Sequence, residues 1–281
     1  MAETVIAHEL AIRTGIFVGV LLAIALWEAA APCRPRSFSR WRRWPSNLAV
    51  VALNSLLVRL VFPMAAVGLA AFAQQRDWGL FNAVDLPAVA AIILTVIVLD
   101  FVIYLQHVMF HAVPVLWRLH RMHHADLDFD VTTGARFHPI EILLSMGLKM
   151  VVISALGAPP IAVIIFEVLL NGTAMFNHGN IHIPDAIDKV LRWFVVTPDM
   201  HRVHHSDLPT ETNSNFGFNL PWWDRLCGTY RDQPKHGHTG MTIGISQFRE
   251  PGELRLDRML VQPFRGPPGP YTLGRSGDPE N

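Results

Sequence analysis

The residues of this chain best suited to chemistry are histidines that recur in four short clusters. Of the 14 histidines, 11 fall between His107 and His205, and ten of them form the clusters His107-x3-His111, His120-x2-His123-His124, His178-x3-His182 and His201-x2-His204-His205. Residues three and four apart share one face of a helix, and neutral imidazole is the commonest metal ligand. Ten convergent imidazoles are too many for one ion, so the pattern predicts a histidine-ligated dinuclear metal site.

A polar stripe leads into the first of these clusters. Asp100, Tyr104, His107 and His111 are spaced by four, three and four residues and therefore lie on one helical face. Metal-bound histidines usually donate their second ring N–H to a carboxylate or a carbonyl. A carboxylate within an apolar segment is costly and is by default a functional hypothesis, so Asp100 is a candidate for that acceptor.

Two further carboxylates lie close to histidines in the sequence. Glu141 follows His138 by three residues, and Asp199 precedes His201 by two. Both are candidates to accept a hydrogen bond from a ligating imidazole. His138 itself precedes Pro139, so we expect it to begin a helix or to line the pocket rather than to bind metal.

The apolar residues that must position these side chains make up 51% of the chain and lie in long runs. The runs cover residues 14–32, 47–73, 86–110, 142–156 and 161–176. A helix that crosses about 30 Å of hydrocarbon needs roughly 20 apolar residues. The first three runs therefore predict transmembrane helices. The last two predict a helical hairpin that crosses the membrane obliquely or only partly.

The arginines of the first loop predict the orientation of these helices. They are Arg34, Arg36, Arg40, Arg42 and Arg43, whereas the second loop, residues 74–85, holds only Arg76. The positive-inside rule places the first loop in the cytoplasm. The third helix then returns its carboxyl end to that side, and the hairpin leaves and re-enters there. All four histidine clusters are thus predicted to meet at one cytoplasmic membrane boundary.

Composition excludes several classes of function. The 23 basic and 23 acidic residues balance, so nothing indicates nucleic-acid binding. Cys33 and Cys227 are far apart and outside any metal-type spacing, which argues against thiolate ligation and against a disulfide framework. The basic residues are mostly arginine and alanine is abundant, which hints at a bacterial genome and hence at the inner or plasma membrane.

Imidazole suits zinc, copper, iron and nickel alike, so the choice of metal rests on the setting. A two-ion site at the edge of the bilayer faces lipid chains, whose C–H bonds a zinc Lewis acid does not cleave but iron with O2 does. Two alternatives stay open. One is a histidine-rich membrane metal-binding or transport protein, and the other is a zinc hydrolase acting at the membrane surface.

The histidine pattern, taken with the residues around it, resembles the fatty acid hydroxylase and sterol desaturase superfamily of membrane di-iron enzymes. The resemblance covers about residues 95–264 and is carried by the histidine clusters together with Asp100-x3-Tyr104, Arg136-Phe137-His138-Pro139-x-Glu141, Asn177-His178, Asn215-x-Gly217, Trp223-Asp224-Arg225, Gly228-Thr229-Tyr230, Leu256-Asp257-Arg258 and Gln262-Pro263-Phe264.

The resemblance implies that the ten clustered histidines ligate two iron ions and that O2 is the cosubstrate. It implies hydroxylation or desaturation of a C–H bond of a lipid, such as a sterol or a fatty acyl chain. Electrons would come from a separate ferredoxin or cytochrome b5-like protein on the cytoplasmic face. Arg192, Arg202 and Arg225 would either help it dock or face lipid headgroups. Asp100, Tyr104, His138 and Glu141 are the residues expected near the reaction.

The fold expected from these arguments is an all-α integral membrane protein. It is a helical transmembrane bundle with a cytoplasmic helical cap that carries the histidine-rich dinuclear site. Residues 1–94 are predicted to form N-terminal transmembrane helices and residues 95–264 the di-iron domain. Residues 265–281, mostly Gly, Pro and polar residues, are predicted to be a disordered tail.

Overall fold

The computed structural model describes residues 2–84 and 86–273, and its regular structure is helical. In chain order the helices are α1 (Ala2–Ala7), α2 (Glu9–Ala30), α3 (Arg40–Val61), α4 (Ala65–Gln75), α5 (Leu80–Ala83), α6 (Ala88–Ala112), α7 (Pro114–His124), α8 (Pro139–Leu156), α9 (Pro160–Asn177), α10 (Asp185–Leu191), α11 (Pro198–His204), α12 (Pro209–Thr212), α13 (Trp222–Leu226), α14 (Gly237–Gly240) and α15 (Leu256–Val261). Short 3-10 helices cover Thr133–Ala135, Pro251–Leu254 and Gln262–Phe264. The described residues contain isolated β-bridges but no strand. The predicted all-α fold is confirmed.

Five segments of the described chain are long and apolar enough to cross a membrane. They are Glu9–Ala30, Arg40–Ala83, Ala88–Ala112, Pro139–Leu156 and Pro160–Asn177. The hairpin helices α8 and α9 have 18 residues each, which at 1.5 Å per residue is about 27 Å. They are longer than the runs 142–156 and 161–176 that the sequence predicted. The chain is therefore an integral membrane protein.

The second predicted span is interrupted at Pro63. Helix α3 ends at Val61 and α4 begins at Ala65, although the sequence suggested one helix over residues 47–73. A proline has no backbone N–H and disfavours helical conformation at the residue before it. Phe62 accordingly leaves the helical region, with φ −124° and ψ 75°.

The turn between α8 and α9 lies at the end of the bundle away from the histidines. Gly157 ends α8 in the left-handed conformation, with φ 65°. A Cβ at this position would lie 2.4 Å from the carbonyl oxygen of Trp78. Glycine therefore provides both the backbone angle and the close approach to the loop after α4.

The largest apolar core lies between α4, α6, α8 and α9. Its members include Leu99 and Ile103 of α6, Met146 of α8 and Phe166 and Ala174 of α9, all buried. This core fills the transmembrane bundle and extends up to the ends of α6, α8 and α9 that carry the histidines. It fixes these helix ends relative to one another.

A buried ion pair joins α3 to the loop after α7. The guanidinium of Arg43 donates to Asp126 at 2.8 and 2.7 Å and also to Asp130. Burial would raise the pKa of the Asp126 carboxyl, but Arg43 and Arg136 hold it well below its usual range. The pair thus stays ionised and anchors the chain directly after the cluster His120-x2-His123-His124.

The first part of the predicted tail is packed against α7. Arg121 donates to the carbonyl oxygen of Pro267, and Trp117 donates to that of Pro268 at 2.9 Å. Tyr271 is buried and donates from its hydroxyl to the carbonyl oxygen of Asp207. Residues 265–273 are therefore ordered in this structure, while residues 274–281 lie outside the described residues.

Candidate metal centre

Nine of the ten clustered histidines meet in two buried groups. The first group is His107, His111, His120, His124 and His204, and the second is His123, His178, His201 and His205. Within each group, one nitrogen of every ring lies within 4.8 Å of the others. The groups adjoin, since the rings of His124 and His205 stack with centroids 4.7 Å apart. Each group has the ligand type, number and spacing to hold one metal ion.

Four helix ends place these rings. His107 and His111 lie one turn apart near the end of α6, and the His120 cluster forms the last turn of α7. The His201 cluster forms the last turn of α11 and the residue after it. His178 is the residue directly after α9. The i, i+3 and i, i+4 spacing therefore places the rings of these clusters on one side of α6, α7 and α11.

The outward nitrogens of several rings identify their tautomer. The Nδ1 of His107 lies 2.7 Å from the carbonyl oxygen of Phe216, that of His178 lies 2.7 Å from Ala174 O, and that of His204 lies 2.7 Å from Ser214 O. A carbonyl oxygen only accepts, so Nδ1 donates in each case, and a neutral ring then has no hydrogen on Nε2. These Nε2 lone pairs point into the two groups.

The cap consists of residues 113–138 and 178–273, which lie outside the membrane-spanning segments. A short segment of the cap, residues 213–216, supplies acceptors to three histidines of the first group. Asn213 accepts from His111 through its side-chain oxygen at 3.1 Å, Ser214 accepts from His204, and Phe216 accepts from His107. Asp224 holds this segment in place because its carboxylate accepts from the backbone N–H groups of Phe216 and Gly217 at 2.7 and 2.9 Å. The segment therefore orients rings from both α6 and α11.

His120 differs because it has a carboxylate partner. The Oε1 atom of Glu141 lies 2.7 Å from its Nδ1, and both side chains are almost completely buried. Of the three carboxylates that the sequence proposed for such a contact, Glu141 is the one that makes it. A carboxylate acceptor fixes the ring and raises the basicity of Nε2.

The Nε2 atoms that face into the two groups have lone pairs suited to bind a cation. In the second group, Nε2 of His178 lies 3.1 Å from Nε2 of His123, His201 and His205. Its one lone pair can accept one hydrogen bond, not three. In the first group, Nε2 of His111 and of His204 are buried without a hydrogen-bond partner. A metal ion would satisfy these atoms, so the residues present fit a dinuclear metal centre.

Burial also keeps the rings in the form that binds metal. It lowers the pKa of His120 to about 3 and that of His178 to about 3. For His123, His124, His201, His204 and His205, burial is again the main cause of a pKa well below the usual range. These imidazoles are neutral near pH 7, as metal ligation requires.

His182 is not brought to either group. Helix α9 ends at Asn177, so the chain from His178 to His182 is not helical and the four-residue spacing does not align the two rings. The side chain of His182 is exposed, and its backbone N–H donates to the carbonyl oxygen of Ala31. The expectation that it is a ligand does not agree with this placement.

Asp100 and Tyr104 hold the cap against the transmembrane bundle. The carboxylate of Asp100 accepts from the side chains of Asn219 and Trp223, both at 2.7 Å. The hydroxyl of Tyr104 lies 3.0 Å from that of Thr229. Neither residue has a hydrogen bond to a clustered imidazole. The predicted hydrogen bond from a clustered histidine to Asp100 is therefore not observed.

His138 and Asp199 also interact with residues other than the clustered histidines. His138 precedes α8 and its ring accepts from the backbone N–H of Ile140, which is the helix-starting role expected of it. Asp199 accepts from Arg202 and lies 3.8 Å from a ring nitrogen of His238. Neither side chain is hydrogen-bonded to a clustered histidine.

Two of the arginines proposed for donor docking are buried. Arg202 is fully buried and pairs with Asp199, and Arg192 is 4% exposed and pairs with Asp188. Arg225 is half-buried, with its guanidinium over the ring of Trp193. Arg192 and Arg202 therefore stabilise the cap and are not available to a partner protein.

The acceptor segment 213–216 was missed by sequence reasoning. Backbone carbonyls and one asparagine carry no recognisable ligand signal, and their position becomes evident only when the cap folds over α6. A partial signal existed in Asn215-x-Gly217. Asn215 has a positive φ of 53°, and a Cβ at Gly217 would lie 2.8 Å from the carboxylate of Asp224.

Comparisons with known proteins agree with this geometry. Residues 92–229 match the family model described as fatty acid hydroxylase. The chain is 28% identical over 255 residues to an ornithine lipid hydroxylase of Rhizobium tropici, covering 89% of this chain and 74% of that protein. It is 30% identical to an alkylglycerol monooxygenase of Xenopus tropicalis over 60% of this chain and 36% of that protein. It is 25% identical to human cholesterol 25-hydroxylase over 50% of this chain and 51% of that protein. No solved structure matches the chain at a significant level.

Proposed function

We propose that this chain, like the fatty acid hydroxylases and lipid monooxygenases it resembles, is a di-iron oxygenase that hydroxylates a C–H bond of a membrane lipid. The observation that carries this proposal is the pair of adjoining, buried imidazole groups at one end of an apolar helical bundle. The site has enough imidazoles for two metal ions, and it borders the segments that are long and apolar enough to cross a membrane.

Nine histidines would hold the two ions. His107, His111, His120, His124 and His204 would bind one, and His123, His178, His201 and His205 the other. An all-nitrogen ligand set is compatible with several metals. Iron is proposed because a lipid hydroxylase must activate O2 and break an unactivated C–H bond, which zinc does not do.

The overall reaction balances with an external two-electron donor. A lipid C–H, O2, two electrons and two protons give the lipid alcohol and water. The bound iron would supply the reduction of O2 and the oxidation of the C–H bond. The chain itself orients the ligand rings, excludes water through its buried site, and places the lipid. Such positioning provides much of the rate advantage in reactions of this kind.

We further propose that the site faces the cytoplasm and receives electrons from a ferredoxin or a cytochrome b5-like protein. The arginines of residues 34–43 precede or begin α3 at the end of the bundle that carries the histidines. Several hold cap residues directly, as Arg34 does when it donates to the carbonyl oxygen of Met241 at 2.8 Å. The positive-inside rule then favours a cytoplasmic cap.

A transport role is less compatible with the charged residues deeper in the bundle. Lys149 of α8 donates to Glu167 of α9 at 3.2 Å, and Arg13 of α2 lies 3.1 Å from the other oxygen of Glu167. These charges pair across three helices. A transported ion would have to compete with that pairing to pass.

Metal analysis combined with isotopic oxygen tests the proposal. The purified chain should bind about two iron ions, consume O2 when a reductant is added, and transfer one ¹⁸O atom from ¹⁸O2 to a membrane lipid. The His204→Ala variant should lose the lipid product and part of the iron. Zinc in both sites, or iron without any O2 uptake or oxygenated lipid, would refute the proposal.

A further inference from the structure

Two phenylalanine rings each contact both imidazole groups. The ring of Phe137 lies 6.0 Å from that of His120 in the first group and 4.5 Å from that of His123 in the second. The ring of Phe218 lies 5.0 Å from His107 in the first group and 6.3 Å from His201 in the second. Both rings therefore lie across the boundary between the two groups.

The other large aromatic rings around the centre contact one group each. Trp117 and Phe216 contact histidines of the first group, with Trp117 at 4.8 Å from His111 and Phe216 at 5.0 Å from the same ring. Phe129 contacts the second group, at 5.5 Å from His178 and 5.2 Å from His205. The position of Phe137 and Phe218 thus differs from that of the rest of the aromatic shell.

Phe137 and Phe218 also lie on a different side of the centre. Phe218 is a member of the transmembrane core that contains Leu99 and Met146, and Phe137 packs against that core. By contrast, Trp117 stacks on Tyr271 in the cap, and Phe129 clusters with cap residues. The two rings are therefore the boundary between the imidazoles and the apolar interior of the bundle.

We infer that Phe137 and Phe218 form the wall against which the hydrocarbon segment of the substrate is placed, and that their size determines which carbon reacts. This inference rests on the proposed hydroxylase function. A carbon that is oxidised by a centre made of both imidazole groups must approach where both groups border the apolar interior, which is where these two rings lie. The surroundings on that side are apolar, so the group admitted is uncharged carbon rather than a charged headgroup.

Because the rings of Phe137 and Phe218 lie close together, their size limits the space left for a substrate chain. Their centroids are 6.5 Å apart, tilted by 43°, so a methylene chain must pass along the ring faces or displace one ring. Phe137 is partly exposed, and its backbone is fixed by Asn54, which donates to its carbonyl oxygen at 2.9 Å. The side chain can therefore adjust while the backbone stays in place.

Photo-crosslinking tests this placement without relying on catalysis. Phe137→p-benzoylphenylalanine and Phe218→p-benzoylphenylalanine are expressed in a bacterial membrane, irradiated, and examined by mass spectrometry for covalent adducts with the membrane lipids. Phe129→p-benzoylphenylalanine is the matched control because it contacts one imidazole group from the cap side. We expect lipid adducts at residues 137 and 218 and few at residue 129. Equal adduct yields at all three positions would overturn the inference.

Product analysis then tests the effect on regiochemistry. Phe137→Leu and Phe218→Leu should retain iron and shift the ratio of hydroxylated positional isomers by roughly tenfold or more, as expected for a change of this size in an apolar pocket. Phe129→Leu should leave the isomer ratio unchanged. An unchanged ratio in both wall variants, with iron retained, would contradict the inference. If the unmodified chain gives no oxygenated lipid but adducts still form at residues 137 and 218, the hydroxylase proposal fails while the lipid placement holds.

Discussion

The side-chain carboxyl group of Glu141 lies 2.7 Å from Nδ1 of His120, a partner of a different kind from those of the other rings in the first imidazole group. Other outward nitrogens of that group face neutral oxygens, as His107 and His204 do with backbone carbonyls. An ionised carboxylate acceptor strengthens such a hydrogen bond and makes the opposite nitrogen a better donor to metal. Glu141, at the start of α8, is thus placed to influence how strongly His120 would bind a metal ion.

Removing this carboxylate should weaken one metal position selectively. We expect Glu141→Ala to lower the affinity of the first imidazole group for iron by roughly 10- to 100-fold, and Glu141→Gln to have a smaller effect because its amide oxygen can still accept. Asp199→Asn is the matched control, since Asp199 pairs with Arg202 rather than with a clustered histidine. Metal titration of the purified apoproteins measures these differences. Equal losses in Glu141→Ala and Asp199→Asn would show that the contact with His120 is not responsible.

His178 and His182 should respond differently to the same substitution. His178→Ala removes the ring whose Nε2 lies 3.1 Å from three other imidazoles, so the second position should lose its metal. His182 is exposed and outside both groups, so His182→Ala should retain about two ions. Elemental analysis per folded chain distinguishes the variants. A marked loss of iron in His182→Ala would mean that the ligand set is larger than the nine residues proposed.

Gly134 should tolerate no side chain, because it lies against the Ala174 carbonyl oxygen that accepts the hydrogen bond of His178. A Cβ at Gly134 would be 2.4 Å from the carbonyl oxygen of Ala174 and 3.1 Å from Nδ1 of His178. Gly134→Ala is therefore expected to displace that ring and to reduce iron in the second group. Gly172→Ala is the control, since its Cβ would meet no atom within 4 Å and a helical alanine is favoured over glycine by about 0.5–1 kcal/mol. Iron content and melting temperature should fall in the first variant and hold or rise in the second.

Where the chain is helical, the histidine spacing identified rings that the structure brings together. In α6, α7 and α11, residues three and four apart share a face, so the sequence alone identifies which rings converge. The prediction did not hold for His182 because α9 ends at Asn177 and the helical period no longer applies. The spacing of two histidines shows that their rings converge only if both lie within the same helix. The histidines themselves do not indicate where a helix ends.

The carboxylates were harder to assign because a hydrogen bond depends on tertiary packing. Asp100 shares a helical face with His107, yet its carboxylate accepts from Asn219 and Trp223 of the cap. Glu141 is 21 residues from His120 in sequence and meets it because α7 and α8 pack together. Asp199 is two residues from the clustered His201 in sequence, yet Glu141 is the candidate that contacts a clustered histidine. Five apolar segments and the family resemblance were, by contrast, evident from composition and motif.

The buried pair between Arg43 and Asp126 should be a major source of stability for the cap. Arg43 is fully buried and donates to Asp126 and Asp130, which follow the cluster at the end of α7. Arg43→Met would leave Asp130 without this cation and Asp126 with only the more distant Arg136, and breaking a buried ion pair typically costs about 3–5 kcal/mol. Its neighbour Arg42 is exposed, so Arg42→Met should change stability little. Thermal unfolding of both variants in the same detergent measures the difference, and a similar melting temperature for the two would show that the ion pair does not hold the cap to α3.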